Sequence, residues 1–340
     1  AQLFGDPEHL FGRSIEEVIG LRSRLVRSVL RGDVRRAAHA GNRLLEAVRE
    51  VGLSQVGIEA EAKFSKPPKP VLRFDGILAP AGPSGRVEEL RVVGDPKVPR
   101  VVERLVGDTD AKALDAVWEL YRGGVSVYYI SRLLSIGLLG KMRKRVLVPS
   151  RWAITATDSM ASRWLANKLR DFPELSEVWL YTSEYAGNRY VVLLAPSPLS
   201  FELVEIWLPR SIWTAEAAQA FVESDCEDWR GKTAFSLLGG GYYAVKLPVY
   251  EFLYSIKRQA FAFAIREVTP NYWAPLGSWK IREALRRAFS LPPKKFSTVE
   301  EALGEVARVV DTPFDRWFPK ARMLRRFLTQ KRLDEFSAAG

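Results

Sequence analysis

The stretch that decides the fold of this chain is EVWLYTSEYAGNRYVVLL, which occupies residues 177–194. Its two halves, 177–185 and 189–194, are rich in aromatic and β-branched residues, which predicts β-strands. The residues between them, at positions 186–188, are small or turn-forming and predict a tight turn. Because strands joined by so short a turn pair antiparallel, the centre of the chain is predicted to form a β-hairpin.

Further elements are predicted on both sides of this hairpin. Asp158 is expected to cap a helix, and the segment 201–208 is expected to add a third antiparallel strand. Strands or extended segments are predicted over residues 146–157, 201–208, 232–238 and 260–268, and helices over 158–171, 214–224, 242–258 and 277–289. Since the helices do not alternate strictly with the strands, the pattern favours an α+β fold.

The N-terminal region is predicted to be helical. Ser14 and Glu17 have the spacing of a capping box, and an apolar stripe follows them at helical intervals. Arg22 falls inside this stripe and Arg27 is one of the arginines around it; an arginine on an apolar face either extends its charged head to water or is held at a binding site. The predicted fold is therefore α+β, with an antiparallel or mixed sheet, surrounding helices, a helical N-terminal segment and a flexible basic C-terminal tail.

The composition excludes several classes of enzyme. Cys226 is the one cysteine of the sequence, and His9 and His39 are its two histidines. A Ser-His-Asp triad, a Cys-His dyad and a zinc site of histidines and cysteines all need residues that the body of the chain lacks. Catalysis beyond residue 40 would depend on carboxylates, Arg, Lys, hydroxyl groups, backbone amides or a hard cation such as Mg²⁺.

The charge indicates an anionic partner. The 340 residues include 51 Lys and Arg against 40 Asp and Glu, a net charge of +11, which favours nucleic acid, although a basic proteome would give the same balance. The three glycines at 239–241 precede a predicted helix, where backbone amides can bind phosphate; a plain tight turn, and a core role for the next tyrosine, are the alternatives. The candidates for contacts with DNA are Arg22, Arg27, Arg151, Arg189, Gly239, Gly240, Gly241, Tyr242, Arg258 and Arg266.

Carboxylates in or beside apolar segments are the candidates for catalysis. Glu184, Asp158 and Glu205 lie in such places, where a carboxylate can hold Mg²⁺ or act as a general acid or base. Glu184 also faces Arg189 across the predicted turn, so a cross-strand ion pair is the alternative interpretation. Nothing in the spacing singles out one pair of carboxylates.

The end of the chain carries a short docking motif. Gln330, Leu333 and Phe336 match the pattern Q-x-x-[ILM]-x-x-F, which resembles the peptide by which replication and repair proteins bind the sliding clamp, PCNA. In such a peptide Leu333 and Phe336 enter an apolar pocket while Gln330 hydrogen-bonds beside it. Position 337 is Ser, where the usual motif has a second aromatic residue, so a weakened anchor is expected.

Several long segments together resemble the archaeal Nre family of DNA repair proteins. The resemblance spans nearly the whole chain and includes the docking motif at its end. The segments that carry it are 3–5, 148–156, 183–189, 239–244, 266–270 and 275–279.

This resemblance implies a DNA repair protein that binds DNA and is recruited by PCNA. It implies an Nre N-terminal region over residues 1–210, an Nre C-terminal region over 211–320 and a basic tail with the docking motif over 321–340. Many relatives carry a cysteine-rich, zinc-binding segment; this chain has no cysteine cluster, so zinc is not carried over, and Mg²⁺ remains open as a cofactor.

Three classes of function follow from these observations. The first is an enzyme that acts on damaged DNA, either a nuclease or a base-removing hydrolase. The second is a non-catalytic adaptor that brings repair partners to the clamp. An RNA-binding or nucleotide-processing protein fits the charge but gives no reason for the docking motif. Since the sequence shows neither a secretory signal nor a membrane span, the protein is predicted to be cytoplasmic and nucleoid-associated, with no membrane partner.

Overall fold

The computed structural model describes residues 7–29, 42–69, 80 and 82–329. This part of the chain forms two compact units. The first contains the described residues up to Trp164 together with Ala274–Lys280, and the second contains Leu165–Trp273 and the residues from Ile281 onwards. Within the described ranges, no helix combines the length and the apolar character needed to cross a membrane.

The first unit is mainly helical and carries a small sheet. Strand β3 (Ser84–Val92) is the centre of this sheet, parallel to β1 (Arg27–Val29) and antiparallel to β2 (Ala60–Phe64). The predicted capping box is confirmed, because Ser14 and Glu17 each accept a hydrogen bond from the other's backbone amide. The elements are α1 (Pro7–Leu10), α2 (Ile15–Ser23), β1 (Arg27–Val29), α3 (Arg43–Leu53), β2 (Ala60–Phe64), β3 (Ser84–Val92), α4 (Arg100–Gly107), α5 (Ala113–Arg122), α6 (Val127–Ser135) and most of α7 (Ser150–Leu169).

Helix α7 occupies a segment for which the sequence predicts a strand. That prediction, over 146–157, is wrong, because the chain is helical from Ser150 onwards and the Ala153 amide donates to the carbonyl of Pro149 at 3.0 Å. Asp158 therefore lies inside a helix and does not cap one. A helical period explains the difference, since buried positions recur every four residues, at Ala153, Thr157, Ala161 and Leu165.

The second unit is a sheet with helices on both faces. The predicted hairpin is confirmed: β4 (Val178–Tyr185) and β5 (Asn188–Ala195) pair antiparallel. In the turn between them Ala186 and Gly187 have φ values of +48° and +67°, as the right-handed twist of a hairpin requires. The elements are β4 (Val178–Tyr185), β5 (Asn188–Ala195), β6 (Ser200–Trp207), β7 (Phe221–Glu227), α8 (Gly240–Ser255), β8 (Phe261–Val268), α9 (Trp279–Phe289, which begins in the first unit), β9 (Lys294–Phe296), α10 (Val299–Val309), α11 (Phe314–Trp317) and α12 (Arg322–Thr329).

The predicted strand over 201–208 is present as β6, but it does not lie beside the hairpin. The sheet runs β7-β6-β8-β5-β4-β9, so β6 is antiparallel to β7 and parallel to β8. Strand β8 lies between β5 and β6, antiparallel to the former and parallel to the latter. All eight residues of β8 are buried, which suits a strand covered on both faces. Burial thus places β8 at the centre of the sheet, although it follows β5 and β6 in the chain.

Helices cover the two faces of the sheet with different side chains. On one face α10, α11 and α12 pack against a core that includes Ile265. On the other face α8 packs against β6, where the rings of Phe201 and Tyr242 meet edge-on at 5.1 Å. Because successive side chains of a strand point to opposite faces, the neighbours Arg266 and Glu267 serve different faces of the same sheet.

Two predictions between β6 and α8 are also wrong. The predicted helix over 214–224 is absent: residues 214–220 form turns and bends, and from Phe221 onwards the chain forms β7, which pairs with β6 along its whole length. Cross-strand packing favours the strand over a helix in this second part. The segment 232–238 is a loop and not an extended strand. The α+β class is confirmed, and the predicted division at residue 210 falls inside this sheet, between β6 and β7.

The basic C-terminal segment begins as a helix. Arg322–Thr329 forms α12, in place of the flexible tail predicted from 321. The Glu202 carboxylate of β6 accepts hydrogen bonds from the amides of Met323 at 3.0 Å and Leu324 at 2.8 Å. The sheet therefore caps the N-terminus of α12. The docking motif, from residue 330, lies outside the described residues.

Candidate nucleic-acid interface

Glu184 and Arg189 lie opposite each other on the hairpin. The Nε of Arg189 is 3.8 Å from the Oε2 of Glu184, whose side chain is 60% exposed, so the cross-strand ion pair is confirmed. The Nη1 of Arg189 also lies 3.0 Å from Glu267 and 2.5 Å from Asp311. A hydrogen bond to Asp311 raises the pKa of the guanidinium. Since three carboxylates surround one guanidinium, the local charge opposes a phosphate at this position.

Glu267 holds the end of α10 against the sheet. Its Oε1 accepts hydrogen bonds from the amide and the hydroxyl of Thr312, at 2.9 and 2.7 Å. Its Oε2 accepts from the amide of Asp311 at 3.0 Å. This carboxylate is fully buried, and its oxygens are already engaged with the backbone and with Arg189. Its arrangement is that of a structural anchor.

Glu205 and Arg266 form a buried ion pair on the opposite face. The Nη1 of Arg266 is 2.8 Å from the Oε1 of Glu205, and its Nε donates to the Oδ1 of Asn188 at 3.0 Å. Burial on its own lowers the pKa of Arg266, but the neighbouring Glu205 outweighs burial and the net pKa is raised. The guanidinium therefore stays charged, and its contacts join β8 to β5 and β6.

The three glycines place the Glu205 carboxylate against a helix. Gly239 precedes α8 with a φ of +59°, and no side chain caps this helix. A Cβ on Gly241 would come within 2.5 Å of the Oε1 of Glu205, so a side chain at this position would displace the carboxylate. The Glu205 carboxylate thus lies beside the start of α8, where the sequence predicts a bound phosphate. Tyr242 is fully buried against Phe201, with no ring face open to a base.

The loop that joins β7 to α8, residues 228–239, is braced by Asp225. Its Oδ1 accepts from the Nζ of Lys232 at 2.6 Å, and its Oδ2 accepts from the Ser236 hydroxyl at 2.7 Å and the Leu237 amide at 3.0 Å. Burial raises the pKa of the Asp225 carboxyl, but these hydrogen bonds outweigh it, so the net pKa is lowered. A charged Asp225 therefore fixes the course of the β7–α8 loop.

A second buried charge closes the base of the loop. Glu227, at the end of β7, accepts hydrogen bonds from the Nζ of Lys246 at 3.0 and 3.1 Å and from the Tyr250 hydroxyl at 2.9 Å. The ammonium also lies 5.4 to 5.7 Å from the rings of Tyr242, Tyr243 and Tyr250. Burial lowers the pKa of Lys246, and Glu227 opposes that change. Glu227 and Lys246 are both buried, so they stabilise the interior and are not open to a ligand.

The β7–α8 loop presents aromatic and basic side chains to solvent. Trp229 is 55% exposed and Phe235 is 64% exposed. The guanidinium of Arg230 lies 5.4 Å from the centre of the Trp229 ring, and the ring of Phe235 lies 5.4 Å from that of Tyr243. The Nε of Arg170 donates a hydrogen bond to the Trp229 carbonyl at 2.6 Å. Exposed rings beside guanidinium groups are the features on which unpaired bases stack.

Sequence reasoning did not single out Trp229, Arg230 or Phe235. An extended segment over 232–238 would not bring these three side chains to one surface. The loop that Asp225 braces does bring them together. The available signal was compositional: residues 228–232 read DWRGK, with an aromatic residue and two cations in a polar, glycine-containing stretch.

The other predicted DNA contacts are dispersed. In the first unit, Arg22 donates to the carbonyl of Leu276 at 3.0 Å and lies 5.9 Å from the Trp279 ring. Arg27 is exposed on β1 and Arg151 is exposed in the first turn of α7. In the second unit, the exposed Arg258 donates to the carbonyl of its neighbour at 3.1 Å.

The predicted catalytic carboxylates do not form one cluster. Asp158 is buried in the first unit, whereas Glu184 and Glu205 belong to the second, one exposed and one buried. Among the residues that the structure describes, no three Asp, Glu, His or Cys side chains gather in a group that could hold a metal ion.

Comparisons with known proteins place these features in a family. Residues 1–214 match the profile described as Archaeal Nre, N-terminal, and residues 227–336 match Archaeal Nre, C-terminal. The chain is 34% identical over 325 residues to the DNA repair protein NreB of Archaeoglobus fulgidus, an alignment that covers 96% of this chain and 81% of the relative.

Two further relatives agree with this match. The chain is 36% identical over 299 residues to the DNA repair protein NreA of Archaeoglobus fulgidus, covering 88% of this chain and 75% of the relative. It is 34% identical over 299 residues to the DNA repair protein NreA of Haloferax volcanii, covering 87% and 71%. No solved structure matches the chain. Since the matches extend over nearly all of it, the chain belongs to the archaeal Nre family.

Proposed function

We propose that this chain is a DNA repair protein that binds DNA through its β7–α8 loop and acts as a non-catalytic adaptor. The role in repair is supported by the three relatives, each of which is named a DNA repair protein. The net charge of +11 supports an anionic partner. Association with the nucleoid follows from the same proposal.

One observation carries the choice of surface: the exposed Trp229 ring beside the Arg230 guanidinium, on a loop that Asp225 holds in place. A stacking platform needs a ring that is open to a base and a backbone that does not have to be ordered on binding. The loop provides both. Because stacking engages the faces of unpaired bases, single-stranded or unpaired regions of DNA are the expected ligand.

The adaptor role is supported by the state of the carboxylates. Glu205 is neutralised by Arg266 at 2.8 Å, and Glu184 pairs with Arg189 on the surface of the hairpin. A carboxylate that is to hold Mg²⁺ or to transfer a proton needs a free oxygen facing the substrate. Since Glu205 is buried in its ion pair and Glu184 already faces a guanidinium, a nuclease or hydrolase centre is less well supported than an adaptor.

Binding of a fluorescently labelled single strand by the Trp229→Ala/Phe235→Ala variant tests this proposal. We expect wild-type affinity to fall with rising salt, because phosphate contacts release counterions. The variant should bind about tenfold more weakly or worse, since stacking contributes about 1–3 kcal/mol per base.

Trp213→Ala is the matched control for this experiment. Trp213 is also an exposed aromatic residue of the second unit, but it follows β6 at Trp207, whereas the β7–α8 loop leaves β7 at the other end of that strand pair. Equal losses in both variants, or an affinity that salt does not change, would contradict the proposed surface. Tighter binding of an RNA strand of the same sequence would favour the RNA-binding alternative.

We also propose that the sliding clamp recruits the protein through Gln330, Leu333 and Phe336. In support, α12 ends at Thr329, one residue before the motif, and Glu202 joins that helix to the sheet. Phe336→Ala should abolish binding to purified PCNA, because a few apolar anchors supply most of the affinity in this type of docking. Ser337→Ala is the control, and clamp binding that survives Phe336→Ala would refute the motif.

A further inference from the structure

A cavity of about 240 Å³ lies in the first unit, at the end of its small sheet. The residues around it include two serines, three cations and a glycine, and none of those that the structure describes is acidic. Its polar lining consists of Ser65, Lys66, Lys69, Ser84 and Arg86. The comparisons and the proposed function leave this cavity without a role.

The backbone brings these side chains together in a fixed arrangement. Residue Lys69 bridges to Ser84 of β3, and the amide of Ser65 donates to the carbonyl of Arg86 at 2.9 Å. Because side chains two apart on a strand share a face, Ser84 and Arg86 point to the same side of β3. The cations therefore come from two segments that the sheet holds side by side.

Gly85 lies between the two residues of β3 that face the cavity. A Cβ at this position would come within 2.6 Å of the Cδ1 of Phe64 and 3.1 Å of the Cγ of Pro68. Because successive side chains of a strand point to opposite faces, Phe64 and Pro68 pack on the face of β3 opposite to Ser84 and Arg86, and neither is among the described residues that line the cavity. The apolar contacts of β3 thus lie on one face of the strand and the basic lining of the cavity on the other.

We propose that this cavity binds a phosphate monoester dianion. Two ammonium groups and one guanidinium supply the charge that a dianion needs, and the serine hydroxyls supply donors for its remaining oxygens. Lys63, by contrast, lies outside the cavity, and its charge is paired with a carboxylate: its ammonium is 3.4 Å from the Oε1 of Glu89. A concave site favours a terminal phosphate, because an internal phosphodiester continues in two directions and must lie across an open surface.

The two sources of such a group are the end of a DNA strand and free phosphate. The first rests on the proposed function, because it requires the protein to bind DNA; the second does not. The experiment therefore measures the affinities of three strands of one sequence, carrying a 5′-phosphate, a 3′-phosphate or hydroxyl groups at both ends. A separate titration with inorganic phosphate measures binding of the free anion.

The variant is Lys66→Gln/Lys69→Gln/Arg86→Gln, and its control is Lys141→Gln/Arg143→Gln/Lys144→Gln. Both remove two lysines and one arginine from exposed positions of the first unit, but the control residues lie on the short 3-10 helix Met142–Lys144 and beside it, not around the cavity. Since all six side chains are exposed, both variants should fold.

We expect one of the phosphorylated strands to bind about tenfold more tightly than the hydroxyl-ended strand, the effect of one charge-assisted contact. The cavity variant should lose this preference and the control should keep it. Binding of inorganic phosphate that only the cavity variant loses, with no preference among the strands, would support the cavity with free phosphate as its source.

Two outcomes would overturn the proposal. The first is that the wild-type protein neither binds inorganic phosphate nor prefers a phosphorylated strand to the hydroxyl-ended one. The second is that the cavity variant and the control lose the same affinity for these ligands, which would indicate general charge attraction. In either case the hydroxyl-ended strand reports separately on DNA binding. Its binding would leave the proposed function intact, and its failure to bind would count against that function while the phosphate titration still tests the cavity.

Discussion

Two ion pairs of the same sheet have the same chemistry and different burial. The side chains of Arg266 and Glu205 are 7% and 2% exposed, whereas the Glu184 side chain that pairs with Arg189 lies largely in water. A pair in water remains hydrated and contributes little to stability. A buried pair cannot lose one partner without leaving a bare charge in apolar surroundings. Position in the sheet, and not residue type, therefore decides what each carboxylate does.

The largest effect is expected for Glu205→Gln. Arg266 would keep Asn188 but lose its carboxylate, which should lower the free energy of unfolding by about 3–5 kcal/mol. Urea denaturation measures this loss. Adding Arg266→Met to Glu205→Gln removes the unpaired charge and should recover part of the stability, so a double variant no more stable than the single one would contradict this account.

Asp225→Asn should have the next largest effect, about 2 kcal/mol at neutral pH, because the carboxylate accepts several hydrogen bonds at the loop. Its pKa is lower in the folded protein than its ordinary value near 3.8, so the unfolded chain takes up the proton first on acidification. The stabilisation is complete above the ordinary value and disappears as the pH falls through the folded pKa.

Wild-type and Asp225→Asn stabilities should therefore converge in acid. Urea denaturation at several pH values, from about 7 to about 2, measures the two curves. Curves that stay parallel over this range would show that the charge of Asp225 does not stabilise the loop. The variant should also bind DNA more weakly, since the loop that carries Trp229 loses its brace.

Glu202→Gln should cost about 1 kcal/mol, the usual contribution of a helix cap. Glu202 is buried like Glu205, and burial raises its pKa, but its partners are the amides of α12 and not a guanidinium. Hydrogen exchange at Met323 and Leu324 should become faster. The amide of Glu301, which Thr298 caps in α10, is the internal control, and an equal change there would indicate global destabilisation.

Glu184→Gln should have the smallest effect. An exposed ion pair contributes about 0.2–1 kcal/mol at most, and Arg189 retains Glu267 and Asp311. We expect unchanged DNA affinity and a stability close to wild type in the same urea assay. A turnover of damaged DNA that this variant loses would overturn the adaptor proposal and would place catalysis at the hairpin.

Local patterns in the sequence predicted the local parts of the structure. The hairpin at 177–194 and the capping box at Ser14 depend on neighbouring residues, and both were predicted. The place of β8 between β5 and β6 depends on burial that only the assembled sheet provides. The same holds for the candidate surface, because Trp229 and Phe235 share a loop only after Asp225, on another element, has fixed its course.

The insertion of β8 between β5 and β6 limits how this protein can be divided. The two family profiles end at residue 214 and resume at residue 227, which suggests two modules. A chain cut there would leave β5 and β6 in one fragment without the strand that joins them, and β8 in the other with both neighbours missing. Unpaired strand edges recruit other chains. We therefore expect separate expression of the halves to yield aggregates, because the boundary between the two profiles divides the sheet of the second unit.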